Sequence, residues 1–331
     1  MESIASGAVR VAGAAAVALS LLAFAGPAAQ AQNYPNRPVT FMIGFAPGGP
    51  SDVMSRIIGR RMEQELKQPM IIENRSGAGG SLAAQLVARA APDGYTVMLG
   101  TNAALTINPN ILKNVGYDAE KDFEYISMIG TQPDVLYVHP DVPAKTFAEL
   151  MALVKAQPGK FNFGSGGIGT PAHLSGELLK TRAKVDIAHI PFRGTGPSVQ
   201  AVIAGHIQMA FNPPAPLMPF IQAGTIRPLA VTSPKRSGAL PDIPTIDESG
   251  YPGFDTKNWH GLVLPAGASK EIVATLQRAL HATLNDPAVK KQLNDLGVDL
   301  TPGSAEEFRA LVKAEIPMFA DIIKTAGIKT D

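Results

Sequence analysis

The stretch Gly44-Phe45-Ala46-Pro47-Gly48-Gly49-Pro50-Ser51-Asp52 constrains the fold more than any other part of this chain. The run before it, residues 37–43, is apolar and β-branched, as a buried strand is. After it Val53, Ile57, Ile58 and Met62 recur at helical spacing, with Arg56 and Arg60 off that face. The pattern predicts strand, glycine-rich turn, helix, with Ser51 or Asp52 capping the helix start. Gly48 and Gly49 carry no β-carbon, so a ligand can approach their backbone. The unpaired N–H groups and dipole of a helix start favour an anion there. A tight βα turn whose glycines only let the chain reverse explains the same residues, and both readings stand at this point.

The scheme recurs. Residues 68–73 read as a strand, Asn74-Arg75-Ser76-Gly77-Ala78-Gly79-Gly80 as a turn and 81–90 as a helix; Asn74-Arg75-Ser76 also fits a glycosylation sequon, a pattern too common to carry weight. A strand at 95–99 ends at Gly100-Thr101-Asn102. Strand–helix alternation predicts an α/β fold with a parallel sheet covered by helices, and ligands gather at the carboxyl ends of such strands. Strands at 125–130 and 135–138 cross into a second lobe of the same kind, with helices at 146–156 and 171–181 and strands at 160–163, 185–190, 206–211 and 226–231. Its main turn is Gly164-Ser165-Gly166-Gly167-Ile168-Gly169-Thr170, where Thr170 fits a helix cap and Pro171 the first helical position. After an irregular segment, 233–255, a strand at 257–264 returns to the first lobe and helices follow at 270–284, 287–296 and 305–326. The expected organisation is a removable segment at 1–31, lobe 1 at 32–132, lobe 2 at 133–255 and lobe 1 again at 256–331.

Length supports that division, since 331 residues is about two domains. The first segment reads as an export signal: Arg10 precedes an apolar run at 11–25, and Ala29-Gln30-Ala31 fits a small-x-small cleavage site, giving a start near Gln32. A membrane anchor is the alternative; the run's poverty in large apolar residues favours removal. No later stretch approaches the ~18 apolar residues of a membrane span. A net charge of +1 without a basic block gives no reason to expect a nucleic-acid partner. With no cysteine there is neither a disulfide scaffold nor a thiolate nucleophile or metal ligand.

Catalytic and cofactor signatures fail one by one. Gly164, Gly166 and Gly169 spell G-x-G-x-x-G, with Asp186 following at the right distance. That acid begins a strand rather than ending one, so the dinucleotide reading is set aside. No Gly-Lys-Ser/Thr follows either glycine loop, and Phe163 stands where a nucleophile elbow around Ser165 needs glycine. The six histidines show no metal-binding spacing; His173, just inside a helix, is the one nearest the glycine loop. What is left is a surplus of glycine turns without an acid, base or nucleophile, which suits binding a carboxylate between two lobes, with no cofactor.

The chain resembles the solute-binding receptors of tripartite tricarboxylate transporters, the Bug receptor family. The resemblance rests on Tyr34-Pro35-Asn36-Arg37-Pro38, Phe45-Ala46-Pro47-Gly48-Gly49 with Asp52, Glu73-Asn74-Arg75 with Gly77-Ala78-Gly79-Gly80, and Ala91-Pro92-Asp93-Gly94-Tyr95. It continues in His173-Leu174-Ser175-Gly176-Glu177-Leu178, Pro191-Phe192-Arg193-Gly194, Ala230-Val231-Thr232-Ser233 and Leu240-Pro241-Asp242-Ile243-Pro244-Thr245. It implies a monomeric, periplasmic, two-lobed binding protein of Venus-flytrap form that is not an enzyme and hands a small carboxylate to integral-membrane transporter subunits. The residues it implies at the ligand are Phe45, Ala46, Pro47, Gly48, Gly49 and Asp52 from the first lobe, and Gly164, Ser165, Thr170, His173 and Arg193 from the second. Asn102, Gly166, Phe192 and Asn212, at neighbouring turns, complete the expected set. An exported enzyme acting on a small carboxylate, and a ligand-sensing partner of a membrane kinase, are the alternatives.

Two departures from the family bear on the ligand. Phe192-Arg193-Gly194 replaces a frequent Tyr-Lys-Gly, and an arginine there can hold a second carboxylate with a two-pronged bond. Asn212 stands where an acidic residue is frequent, which disfavours an amino-acid ligand whose ammonium needs a counter-charge. The expected ligand is a mono-, di- or tricarboxylate, with Phe45, Phe192 and Trp259 as candidate walls for an aromatic one and core packing as their alternative role.

Overall fold

The 37–43 run forms a strand, β1 (Val39–Ile43), whose side chains are buried on both faces, as a strand sandwiched between helix layers must be. The computed structural model describes residues 34–325, 327 and 328. The expected export signal at 1–31 lies outside the described residues, and the unit Arg37–Asp331 is the one described below. After β1 come α1 (Pro50–Leu66), β2 (Met70–Asn74), α2 (Ser81–Ala88) and β3 (Thr96–Thr101). A wide π-helical turn, Ala103–Ile107, then leads into a short α3 (Asn108–Ile111). The phase of α1 differs from the expected one. Met54, Ser55, Ile58, Gly59, Met62 and Leu66 form its buried stripe, and Val53 is exposed, because the helix starts at Pro50 and Gly59 has to face the sheet. A Cβ at Gly59 would sit 3.2 Å from the Ile72 side chain.

The chain leaves this first sheet on β4 (Phe123–Gln132) and two residues later begins β5 (Val135–Val138) of a second sheet. There follow α4 (Phe147–Ala156), β6 (Phe161–Ser165), α5 (Pro171–Ala183), β7 (Ile187–Pro191), α6 (Thr195–Ile203), β8 (Met209–Asn212), a short α7 (Met218–Gln222) and β9 (Arg227–Val231). The return is β10 (Asn258–Pro265), then α8 (Lys270–Asn285), α9 (Pro287–Asp295), the two-residue β11 (Asp299–Leu300) and α10 (Ala305–Thr325). Strand order is β11-β4-β10-β3-β1-β2 in the first sheet and β7-β6-β8-β5-β9 in the second.

Neither sheet is wholly parallel, as alternation alone had predicted. β10 runs against β3 and β4, and β5 against β8 and β9. The register explains this. Val135, which opens β5, pairs with Asn212, which closes β8; Asn258, which opens β10, pairs with Gln132, which closes β4. Both crossings therefore join the carboxyl ends of the two sheets, and a strand that starts from a crossing has to run away from that end. The glycine turns of both lobes thus face one another.

Each lobe has its own core. In the second, Leu136, Phe163 and Phe211 pack under α4 and α5, while Val135, Tyr137 and Ala210 face α6, the period-2 alternation of strands. In the first, Tyr125 and Trp259 each meet the Phe308 ring edge-on, and Trp259 Nε1 donates to Glu315 Oε2 at 2.6 Å. Trp259 is wholly buried there, which corrects its candidacy as a wall for the ligand. α10 begins on this core but ends elsewhere: Phe319 and Ile323 pack with Ile107 and Ile111 of lobe 1 and with Leu174 of lobe 2. Among the described residues no helix is long and apolar enough to cross a membrane.

Candidate functional site

At the end of β1 the chain turns and enters α1 at Pro50, with Gly49 rather than Ser51 or Asp52 in the capping position. Proline suits the first helical position, where its missing N–H has no intrahelical partner to lose. The Asp52 carboxylate folds back under the turn instead. Its Oδ2 accepts from Gly48 N and Arg56 Nε at 2.9 Å each, and its Oδ1 from Arg56 Nη2 and Asn74 Nδ2 at 3.0 Å each. Burial raises the carboxyl's pKa, but these bonds together outweigh it and hold the group below its usual range. Asn74 Nδ2 also donates to Phe45 O, so a single carboxylate and a single amide shape the whole turn. Asp52 and the Gly48 N–H, both expected at the ligand, are spent on that task. Ala46, Pro47 and Gly48 form the turn's exposed tip, and Phe45 packs over Gly80, where a Cβ would be 3.5 Å from its ring.

In the second lobe the loop from Gly164 to Thr170 is largely satisfied by itself. Ser165 Oγ donates to Gly167 O, accepts from Gly167 N and meets His189 Nε2 at 2.7 Å. Thr170 Oγ1 accepts from His173 N and donates to Gly167 O, capping α5 as its sequence predicts. A capped start offers less to a pyrophosphate, a physical argument against the dinucleotide reading of this G-x-G-x-x-G. Gly166 O accepts from Gly194 N and Ser165 O from Phe192 N, so the 192–194 turn lies along the glycine loop. A Cβ on Gly164 would crowd Ser198 Oγ at 2.9 Å and the Phe192 ring at 3.2 Å.

His173 stacks on His189 with ring centroids 4.0 Å apart, and His189 on Phe163 at 4.9 Å. Burial, with Lys180 adding to it, lowers the His173 pKa to about 4; burial, then His173 and Lys180, lowers that of His189 to about 3. Both rings are neutral at physiological pH. They border a cavity of about 260 Å³ shared with Ile168, Glu177 and Lys180. Among the described residues no group of three or more His, Asp and Glu side chains could hold a metal ion.

Two expected asparagines also bond within the protein. Asn102 Oδ1 accepts from Ala103 N and its Nδ2 donates to Lys257 O at 2.9 Å, fastening β3 to the return crossing. Asn212 Nδ2 donates to Tyr137 Oη and Ser198 Oγ, at the base of α6, while its buried Oδ1 has no hydrogen-bond partner among the described residues. Arg193 is exposed and Phe192 half-buried on the turn before α6.

The capping pattern separates the helices. Of those with eight or more residues among the described residues, α4, α5, α8, α9 and α10 have a side chain on their first N–H groups, from Thr146, Thr170, Ser269, Asp286 and Ser304. α1, α2 and α6 start at Gly49, Gly80 and Gly194 with no side-chain cap. Those three all follow glycine turns at the carboxyl ends of strands. A glycine at a helix start costs only a few tenths of a kcal/mol against a capping side chain, and it leaves these starts without one. Arg56, Asn74, Tyr137, Ser198 and His189 bond to or pack on these turns and were not among the residues expected at the ligand. Only Asp52–Arg56 carried a usable signal, an acid and a base four residues apart on a helix.

A family model described as the tripartite tricarboxylate transporter family receptor, TctC, matches residues 54–328. Protein BugT of Bordetella pertussis is 32% identical over 93% of this chain and 95% of its own. A Rhodopseudomonas palustris protein solved with adipate superposes with a TM-score of 0.85 at 34% identity, covering 89% of this chain and 99% of that one. MatC of the same organism, with bound malate, gives 0.81 at 33% identity over 88% and 100%.

Proposed function

Because the chain belongs to the tripartite tricarboxylate transporter receptor family, we propose that it is a periplasmic solute-binding protein that closes two lobes on a small carboxylate. It hands that ligand to integral-membrane transporter subunits and works as a monomer exported through the signal at 1–31, with lobe boundaries at 132/133 and 255/256. The observation that carries this reading is the cluster of bare helix starts, α1, α2 and α6, at the facing carboxyl ends of two sheets. A carboxylate between them takes hydrogen bonds from main-chain N–H groups of Ser51, Asp52, Thr195 and Gly196, backed by the helix dipoles. Phe45, Ala46 and Pro47 wall the site on one side; Gly164, Gly166 and Phe192 wall it on the other. Asp52, Ser165, Thr170, His173, Asn102 and Asn212 hold these turns in place. Arg193 takes a second carboxylate, which fits relatives that bind adipate and malate.

Calorimetry with succinate, malate, adipate, citrate, benzoate and glutamate tests the proposal, together with mass spectrometry of whatever co-purifies. A dicarboxylate bound one to one and recovered unchanged is expected. Tight binding of glutamate alone, or turnover of the bound acid, would sink it.

A further inference from the structure

Asn108 lies in the segment between β3 and β4 that carried no sequence signal, yet it is almost completely buried. Its Nδ2 donates to Ala78 O at 2.8 Å, to Gly79 O at 3.3 Å and to Ser81 Oγ at 3.0 Å, pinning the turn that opens α2. Its Oδ1 reaches the other lobe. A Cβ placed on Gly169 would run into that oxygen and lie 3.1 Å from the Asn108 Cγ. On the first lobe's side a Cβ on Gly79 would come within 2.6 Å of Asn108 Nδ2. One amide is thus wedged between a glycine of each lobe's anion turn, and its apolar neighbours Ile107 and Ile111 pack on Leu174 beside it.

From this geometry we propose that Asn108 is a positioning residue that couples the two glycine turns. It holds the α2 start of lobe 1 open for the carboxylate and, through Gly169, registers the arrival of lobe 2. The proposal rests on the carboxylate-receptor reading above and adds to it the group that makes capture and closure one event. Gly169 has φ of +74°, so alanine there is strained in any lobe arrangement. That strain is common to open and closed forms and shows in stability, not in affinity. The collision with Asn108 exists only where the lobes meet.

A double-mutant cycle of Asn108→Ala and Gly169→Ala tests the coupling, with binding and dissociation of whichever carboxylate of the panel the parent protein takes. Asn108→Ala is expected to speed dissociation about tenfold, as for a lost set of hydrogen bonds, with association unchanged. Gly169→Ala is expected to weaken binding by about tenfold or more in the parent but by less than about threefold once Asn108 is alanine, because the space is then free. Equal Gly169→Ala effects in both backgrounds, or unchanged dissociation in Asn108→Ala, would overturn the proposal, leaving the receptor reading intact. A parent that binds no carboxylate would refute the receptor reading instead, and the cycle is then read without ligand. The chain has no cysteine, so Lys121→Cys and Asp141→Cys, both exposed and one on each lobe, give unique labels for pulsed-EPR distances. Loss of the short-distance population in Gly169→Ala and its recovery in the double variant supports the coupling. A population that Gly169→Ala leaves unmoved overturns it.

Discussion

Asp134 stands on the outgoing crossing between the lobes, and replacing it by asparagine gives a pH signature that can be worked out in advance. Its backbone is laced to the return segment: Asp134 N donates to Thr232 Oγ1 at 2.9 Å, Thr232 N to Asp134 O at 3.0 Å and Thr256 N to Thr232 O at 3.3 Å. Its side chain is fully buried and neither carboxylate oxygen accepts a well-formed hydrogen bond. Asn258, close by, pulls weakly toward the charged form but points its own amide at Gln132 O. Burial dominates and pushes the carboxyl from 3.8 to about 7. The native protein therefore holds a proton that the unfolded chain has lost between these two pH values, so stability falls as pH rises through them. At about 1.4 kcal/mol per pH unit, the loss reaches about 4 kcal/mol by pH 7 and stays there. Asp134→Asn removes the titration without changing the size of the side chain. Urea unfolding of both proteins from pH 4 to pH 8 is expected to show the variant gaining on the parent across that window and level above it. Any effect of the new amide's own hydrogen bonds is constant with pH and drops out of the difference, as do the histidines. A difference independent of pH would refute the reasoning and mean that water or a partner reaches the carboxylate.

Asp52→Asn removes the charge on which Gly48 N, Arg56 and Asn74 converge, and carboxylate affinity is expected to fall by about 1–3 kcal/mol, measured by calorimetry, with the helix content by circular dichroism unchanged. His260 is buried with both ring nitrogens unpartnered and its pKa lowered to about 4 by burial. The parent should therefore lose stability relative to His260→Leu as pH falls from 6.5 toward 4, and the gap should be flat above 7, followed by thermal melting across that range. Gly176→Ala puts a methyl group against the Phe163 ring, and a drop in unfolding free energy of about 1–3 kcal/mol is expected from overpacking. Thr170→Ala strips the cap from α5 and should cost about 1 kcal/mol, seen as a lower melting temperature.

Much of the architecture was legible because its signals are local. Thr170 and Pro171 start α5 as their chemistry requires, the apolar runs became strands, and the long helices near the C-terminus sit within a residue or two of their expected ends. What failed depended on partners distant in sequence. The reversed direction of β5 and β10 follows from where the crossings lie, which no run of residues records. The side of α1 that faces inward was misjudged because Gly59, chosen for closeness to Ile72, reads in sequence as a gap in an apolar stripe. The segment from Ala103 to Ile111 was silent because a π-helical turn has neither period, although it holds Asn108. At the site, residue type alone does not tell which polar groups the fold itself occupies. Asp52, Ser165 and Asn102 look like ligand groups, and only the fold shows their donors and acceptors already engaged.

That division of labour has a consequence for selectivity. Where charged side chains grip an anion, each ligand charge needs its own partner, and a change of ligand means a change of charge in the pocket. Here Asp52, Ser165, Thr170 and Asn102 bond to the turns or to the crossing beside them. Main-chain N–H groups at helix starts recognise a carboxylate whatever is attached to it. On the proposed reading the first carboxylate therefore supplies affinity common to all relatives with these turns, while discrimination falls to the few side chains the turns leave exposed or half-buried: Phe45, Phe192 and Arg193. Arg193→Ala should then spare a monocarboxylate and penalise a dicarboxylate, by about tenfold or more for a lost charge-assisted pair. Asp52→Asn should penalise both alike, because it disorders the turn that they share. Equal loss in the arginine variant for both classes would mean that Arg193 shapes the loop, as Asp52 does, and that selectivity lies with the aromatic walls.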